Sequence, residues 1–276
     1  MKKIGLALGA GGARGIAHLA ILEALEELNI KPCVISGTSI GAIVGLFYSA
    51  GFSTSEMKKI LNQIIYGTRS KFWEIHKKSD FVKYFDLLDP TIKTGGLLRG
   101  DKLASFLSTK VKVSNFNELQ IPFKVLATDY YEKAQVIIDK GELLSAVRAS
   151  YALPFLFAPI EREGKLLIDG GMVNPLPFDV IRNDCDITVA VDVSSTNEFP
   201  GTPEIPPSYE VLFSSFQIMQ SAIVNEKLKT NRPDILIKTN IKGVRVHEFM
   251  KAEEILKNSE VYKTELKKKL QKLISV

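Results

Sequence analysis

Cysteine is scarce in this chain: Cys33 and Cys185 are the only two in 276 residues, each in an apolar stretch and neither grouped with a histidine. That pattern implies neither a disulfide framework nor a cysteine–histidine metal centre, and both thiols are expected in the core. Histidine is nearly as rare, with only His18, His76 and His247 present, and none of the three is placed by sequence as a general base. Long apolar runs are missing too; nothing approaches the roughly 20 residues that a bilayer span needs. Lys2 and Lys3 lead directly into Ile4–Leu8 and a glycine turn, which leaves no room for a signal-peptide hydrophobic region or cleavage site. The expectation is a cytoplasmic protein without a membrane span. Zinc-ligand spacing and ribonucleoprotein motifs are also lacking, so nucleic acid is set aside as a partner. The net charge of +5 is a modest excess that favours anionic surfaces without specificity.

What is present reads as strands alternating with helices. A short apolar strand over 4–8, a glycine turn over 9–12 and a helix over 13–28 form a first strand-turn-helix unit. A second follows: Pro32 introduces a strand over 33–36 that breaks at Gly37, and a helix over 42–50 ends at Gly51. The spacing then predicts a helix over 54–66, strands over 123–128 and 135–138, a helix over 142–150 and a strand over 166–168. The β-branched run 187–193 has the character of a fully buried parallel strand. A proline-rich connector over 200–207, a helix over 209–229, a strand over 234–238 and a C-terminal helix complete the chain. In that last helix Leu266, Leu270 and Leu273 recur at helical spacing among the lysines, so its charge reads as a solvated face. With no internal repeat or convincing linker, residues 1–276 are expected to form one three-layer α/β/α domain with a largely parallel sheet.

Three short segments could carry chemistry. Gly37-Thr38-Ser39-Ile40-Gly41 is a G-x-S-x-G between a predicted strand and a predicted helix, the context in which that pentapeptide forms a nucleophile elbow. Residues 9–15 read Gly-Ala-Gly-Gly-Ala-Arg-Gly and put small residues with free N–H groups at a predicted helix N-terminus, where negative charge is favoured. Gly11 and Gly12 are therefore candidate oxyanion donors. A dinucleotide fingerprint is the competing reading of this turn. It fits poorly, because Arg14 stands at the third glycine position and Ser36-Gly37 occupies the strand end where an acidic residue should meet the ribose. A purely structural glycine turn is the other alternative. The third segment, Asp169-Gly170-Gly171, ends an apolar strand; alone it is equally readable as a hairpin turn.

Taken in order, Gly11-Gly12-Ala13-Arg14-Gly15, Gly37-Thr38-Ser39-Ile40-Gly41 and Asp169-Gly170-Gly171 resemble the three signatures of the patatin-like phospholipases. Stretches 97–103, 147–154 and 174–180 are similar to what bacterial single-domain members carry, so the likeness runs from residue 4 to about 194 and thins beyond. The resemblance implies a patatin-like fold and a Ser–Asp dyad acting on lipid or fatty acyl esters without metal or organic cofactor. Carried over, Ser39 is the nucleophile, Asp169 its base, and the amides of Gly11 and Gly12 the oxyanion hole. Gly9, Arg14, Gly15, Gly37, Gly41, Gly170 and Gly171 support them. Ala10 and Ala20 depart from the family, standing where glycine is usual, and neither removes a catalytic atom. Two rivals stay open: an ordinary α/β-hydrolase with His247 completing a triad, and a non-catalytic lipid- or partner-binding protein that keeps the fold.

One region has two readings. Phe72, Trp73, Phe81, Tyr84 and Phe85 are interleaved with Arg69, Lys71, Lys77, Lys78 and Lys83, a mixture suited to a lid or to peripheral contact with an anionic membrane face. Aromatics filling the core beneath a long loop, with solvated lysines, give the same pattern.

Overall fold

The computed structural model describes residues 2–67, 101–194, 205–206 and 208–274. His76, the aromatic and basic run beyond residue 67, and most of the proline-rich connector lie outside the described residues.

Strand β1 (Ile4–Leu8) is apolar or glycine throughout and buried at every position, as a strand covered on both faces must be. It pairs in parallel with β2 (Val34–Thr38) on one side and with β7 (Ile187–Asp192) on the other. Parallel pairing continues to β3 (Phe123–Asp129) beyond β2 and to β8 (Ile235–Lys238) beyond β7. Three strands are antiparallel: β4 (Ala134–Ile138) and β6 (Lys165–Asp169) pair with β3, and β5 (Ile160–Arg162) pairs with β6. Among the described residues, eight strands run β5-β6-β3-β2-β1-β7-β8, with β4 on β3, which is the mostly parallel α/β architecture expected from the sequence.

Alternation along the central strands divides the interior in two. Leu6, Leu8, Val189 and Val191 point into a large core that also holds Leu22 and Leu25 of helix α1 (His18–Glu27), Leu46 of α2 (Ile40–Ser49), and Leu266 and Leu270 of the C-terminal helix α7 (Ala252–Ile274). Ala7, Val34 and Ala190 face a smaller cluster with Phe178, Ile181 and Val224, the last from helix α6 (Ser208–Thr230). Both faces are thus covered, and truncating a fully buried side chain such as Leu6 to alanine is expected to cost about 2–5 kcal/mol. The remaining α-helices of the described residues are α3 (Thr54–Gly67), α4 (Asp101–Lys110) and α5 (Leu143–Ser150). Among the described residues, no helix is long and apolar enough to cross a membrane.

Several boundaries differ from the sequence-based expectation. Strand β2 continues through Gly37 to Thr38. A Cβ on Gly37 would lie 2.6 Å from the Gly41 carbonyl oxygen, so this glycine permits a close approach and does not end the strand. The segment expected to open the first helix is a 3-10 turn, Gly12–Ala17, and α-helical structure starts only at His18. Glu142 caps α5 from outside, accepting bonds from the Leu144 and Ser145 amides, and is not its first residue. Helix α4 and the short β5 were not anticipated. In α7 the lysines are only partly a solvated face: Lys263 pairs with Glu23 and Glu27 of α1, and Lys267 with Glu27. Such surface pairs contribute roughly 0–1 kcal/mol each, so the buried leucines hold this helix in place.

Candidate active site

Strand β3 brings the second and third motifs together. One of its edges is taken by β4 over residues 125–129; the other is shared, with β2 pairing up to Leu126 and β6 from Ala127 onward. Thr38, opposite Leu126, and Asp169, opposite Ala127, therefore arrive at adjacent positions on one edge from strands running in opposite directions.

Beyond Thr38 the chain turns sharply into α2. Ser39 sits at φ 57°, ψ −121°, a region costing a non-glycine residue about 1–3 kcal/mol and found where structure around it enforces the strain. Gly41 belongs to the same turn; a Cβ there would stand 2.1 Å from the Leu8 carbonyl oxygen, so the turn can press onto β1 only if this position is glycine. The Ser39 hydroxyl donates to Asp169 Oδ2 at 2.6 Å, and the Ser39 amide donates to Ser150 Oγ at 3.0 Å.

Asp169 is 1% exposed and held on three sides. Its Oδ1 accepts the Gly171 amide at 2.7 Å, its own amide donates to the Ala152 carbonyl at 2.9 Å, and its carbonyl accepts Thr128 Oγ1 at 2.9 Å. It caps a 3-10 turn, Gly170–Met172, and the hairpin reading of Asp-Gly does not apply. A Cβ on Gly170 would clash with the Leu126 carbonyl oxygen at 2.3 Å, and one on Gly171 would lie 3.0 Å from Asp169 Oδ1. Burial raises the Asp169 carboxyl to about 6, against the opposing pull of its bonds from Ser39 and Gly171. The carboxyl is thus shifted toward neutral pH, and among the described residues no cation offsets that shift.

The glycine-rich turn lies at the carboxyl end of β1. The Gly9 amide donates to the Val191 carbonyl at 3.1 Å, Ala10 to Pro175 at 2.8 Å and Ala13 to Val246 at 2.7 Å. Between them the amides of Gly11 and Gly12 have no acceptor among the described residues. Gly12 has φ 59°, and a Cβ there would strike the Val246 carbonyl oxygen at 2.4 Å. The free donors come from this loop geometry and its 3-10 turn; they are not at an α-helix N-terminus, as the sequence had suggested. Gly15, next in the signature, packs on α2, where its Cβ would meet Ile40 Cγ2 at 2.4 Å, and Gly9 is similarly tight against the Val191 carbonyl.

Arg14, within the 3-10 turn, is buried. Burial lowers its guanidinium to about 10, with Asp192 acting in the opposite direction. It lines a small cleft with Glu210, Arg245 and His247. His18 is fully buried in contact with Gly9, and among the described residues no histidine bonds to Ser39 or Asp169. The two cysteines are free and half-buried, at the opposite end of the sheet from Ser39. Sequence reasoning missed Ser150, whose hydroxyl holds the Ser39 amide from 111 residues away. No local signal marks a serine in the last turn of an amphipathic helix as a partner of the elbow.

A strained serine at a strand-to-helix turn, bonded to a buried carboxylate and set in a mostly parallel sheet, gives this α/β protein the geometry of a nucleophile elbow. The Patatin-like phospholipase family model matches residues 6–182, and the chain belongs to that family. It is 34% identical over 205 residues to an NTE family protein of Mycobacterium bovis, a match covering 74% of this chain and 52% of the relative. It is likewise 34% identical over 198 residues to patatin-like phospholipase domain-containing protein 7 of Rattus norvegicus, covering 71% of this chain and 14% of that one. The chain thus spans about half the length of the mycobacterial relative and a small part of the mammalian one. VipD from Legionella pneumophila, at TM-score 0.50 and 15% identity over 97% of this chain and 66% of that structure, shares the fold.

Proposed function

We propose that this chain is a serine-dependent lipid acyl hydrolase, with Ser39 as nucleophile and Asp169 as its base. The observation that carries this reading is the 2.6 Å bond from the Ser39 hydroxyl to Asp169 Oδ2 at a strained elbow. A serine hydroxyl is a poor nucleophile until a positioned base takes its proton. Asp169 is in place to do so, and its raised carboxyl brings its basicity closer to that task. Attack on an ester carbonyl by Oγ gives a tetrahedral oxyanion, for which the free Gly11 and Gly12 amides are the available donors. Protonated Asp169 then gives its proton to the leaving alcohol, leaving an acyl-serine. Water, activated in turn by Asp169, hydrolyses that ester and restores Ser39. No step requires a metal or organic cofactor. The direct bond to a carboxylate favours this dyad over a triad through His247, and the elbow's strain favours catalysis over a binding role for a retained fold.

Lipid esters are the proposed substrate class on family membership, with phospholipid, lysophospholipid and simpler fatty acyl esters all within it. Residues 1–276 acting as one unit, in the cytoplasm with peripheral contact at anionic membrane, belong to the same proposal; the large core joining elements from β1 to α7 supports the first part. The test is incubation with a defined lipid panel and identification of released fatty acids by mass spectrometry. Release by the wild-type protein and none by Ser39→Ala is expected; equal release by both would remove the reading.

A further inference from the structure

His18 is buried without remainder at the start of α1, yet the chemistry above makes no use of it. Its Nε2 lies 2.9 Å from the carbonyl oxygen of Gly9. A carbonyl can only accept, so the proton is on Nε2 and Nδ1 carries a lone pair. That second nitrogen is buried and has no partner among the described residues. Burial pushes the imidazole down to about 4, so the ring is neutral through the neutral range. An orphaned buried nitrogen is a cost to the fold that a phenyl ring would not carry. What the imidazole adds is a single N–H, directed at Gly9.

The recipient is significant. The Gly9–Ala10 peptide has its carbonyl held by His18 and its N–H held by Pro175, so it cannot rotate without breaking bonds on both edges. Beyond the loop, the Ala13 amide is held by Val246. Gly11 and Gly12, the two residues with free amides, lie between these fixed points, and both are glycines with no side chain to restrict them. We propose that His18 is a positioning residue for the oxyanion loop: through its Nε2–H it holds the Gly9 carbonyl and so sets the direction of the Gly11 and Gly12 amides. This rests on the hydrolase reading above and names a residue that the reading does not need for bond making.

Two substitutions separate positioning from packing. His18→Phe keeps a ring of similar shape and removes the donor; it exchanges one orphaned polar atom, Nδ1, for another, the Gly9 carbonyl, so stability should stay close to wild type. Its kcat should fall on the order of 10- to 100-fold, the scale of a small misplacement, with KM changed far less. His18→Gln places an amide donor at similar reach and buries an extra oxygen, so it should be less stable than His18→Phe and yet recover most of kcat. A packing role gives the opposite order, with activity following stability, and full kcat in a folded His18→Phe would overturn the proposal. Should His18→Phe fail to fold, ¹⁵N shifts of the wild-type imidazole decide. A neutral Nε2–H tautomer that does not titrate between about pH 5 and 9 is expected; an Nδ1–H tautomer, or titration near 6.5, would overturn it. Ser39→Ala is the control. Activity lost there but intact in His18→Phe removes only this inference, whereas activity retained in Ser39→Ala removes the hydrolase reading and this one with it.

Discussion

Asp129 and Asp169 are the same residue type at the ends of neighbouring strands, both nearly without exposed surface, and their carboxyls move in opposite directions. Asp129 takes a 2.8 Å bond from Lys165, itself half exposed, and accepts the amides of Tyr131 and Glu132. Those partners, the lysine first, hold its carboxyl below the usual range. Asp169 has one amide and one hydroxyl, and burial raises it to about 6. The difference lies in the partners: a carboxylate answered by a cation is held ionised, whereas one met only by neutral donors, the Ser39 hydroxyl and the Gly171 amide, is left with its proton affinity raised by burial.

The largest effects expected from this contrast concern turnover. Asp169→Asn should lose activity by on the order of 10²–10⁴, the usual contribution of a positioned base, while Asp129→Asn keeps most of it. Steady-state kinetics on a soluble ester would show this, and equal losses would erase the distinction. Gly12→Val should cost on the order of 10²–10³, because the new side chain must displace the loop from Val246. A folded Gly12→Val at full rate would take this loop out of the mechanism.

The stability effects are smaller and opposite in sign. For Asp169 the folded value of about 6 stands above the ordinary aspartate value of 3.8, so protonation favours the fold, and that benefit is lost as pH rises through about 6. The ionised form at pH 8 thus costs up to about 3 kcal/mol, and Asp169→Asn should be more stable than wild type there, with the advantage gone by about pH 4. For Asp129 the folded value is depressed, so its contribution is present at neutral pH and lost on acidification. Asp129→Asn should melt slightly below wild type at pH 7 and level with it in acid. Thermal melts of both variants at the two pH values would check the crossing.

Much of this was legible in the sequence, for reasons that also explain what was not. Ile4–Leu8 is apolar or glycine throughout and the run from Ile187 is rich in β-branched residues, so both could be read as central strands without knowing their neighbours. The turn at Ser39 was legible because Gly37 and Gly41 flank it within five residues and the turn they permit is local. Asp169 was not legible in this way: Asp-Gly alone reads as a hairpin, and only the family resemblance singled it out. Its pairing with Ser39 depends on β3 offering one edge to two strands, a fact of topology. Ser150 and the grip of His18 on Gly9 were missed for the same reason, since each acts through a contact that no periodicity records. Residues 13–17, expected as the first turns of the α-helix, lie instead in the 3-10 turn Gly12–Ala17; their small residues suit either form, and close packing of Gly12 on Val246 and of Gly15 on α2 accompanies the tighter one.

The central claim is that Asp169 itself activates Ser39, and the rate at which a fluorophosphonate probe labels the protein across pH tests it most directly. Labelling should map to Ser39 and rise with pH through an apparent value of about 6, following ionisation of Asp169. In Asp169→Asn the residual rate should lose that step, while His247→Ala should keep it. Probe on another serine, or a pH step that persists in Asp169→Asn and vanishes in His247→Ala, would contradict the account.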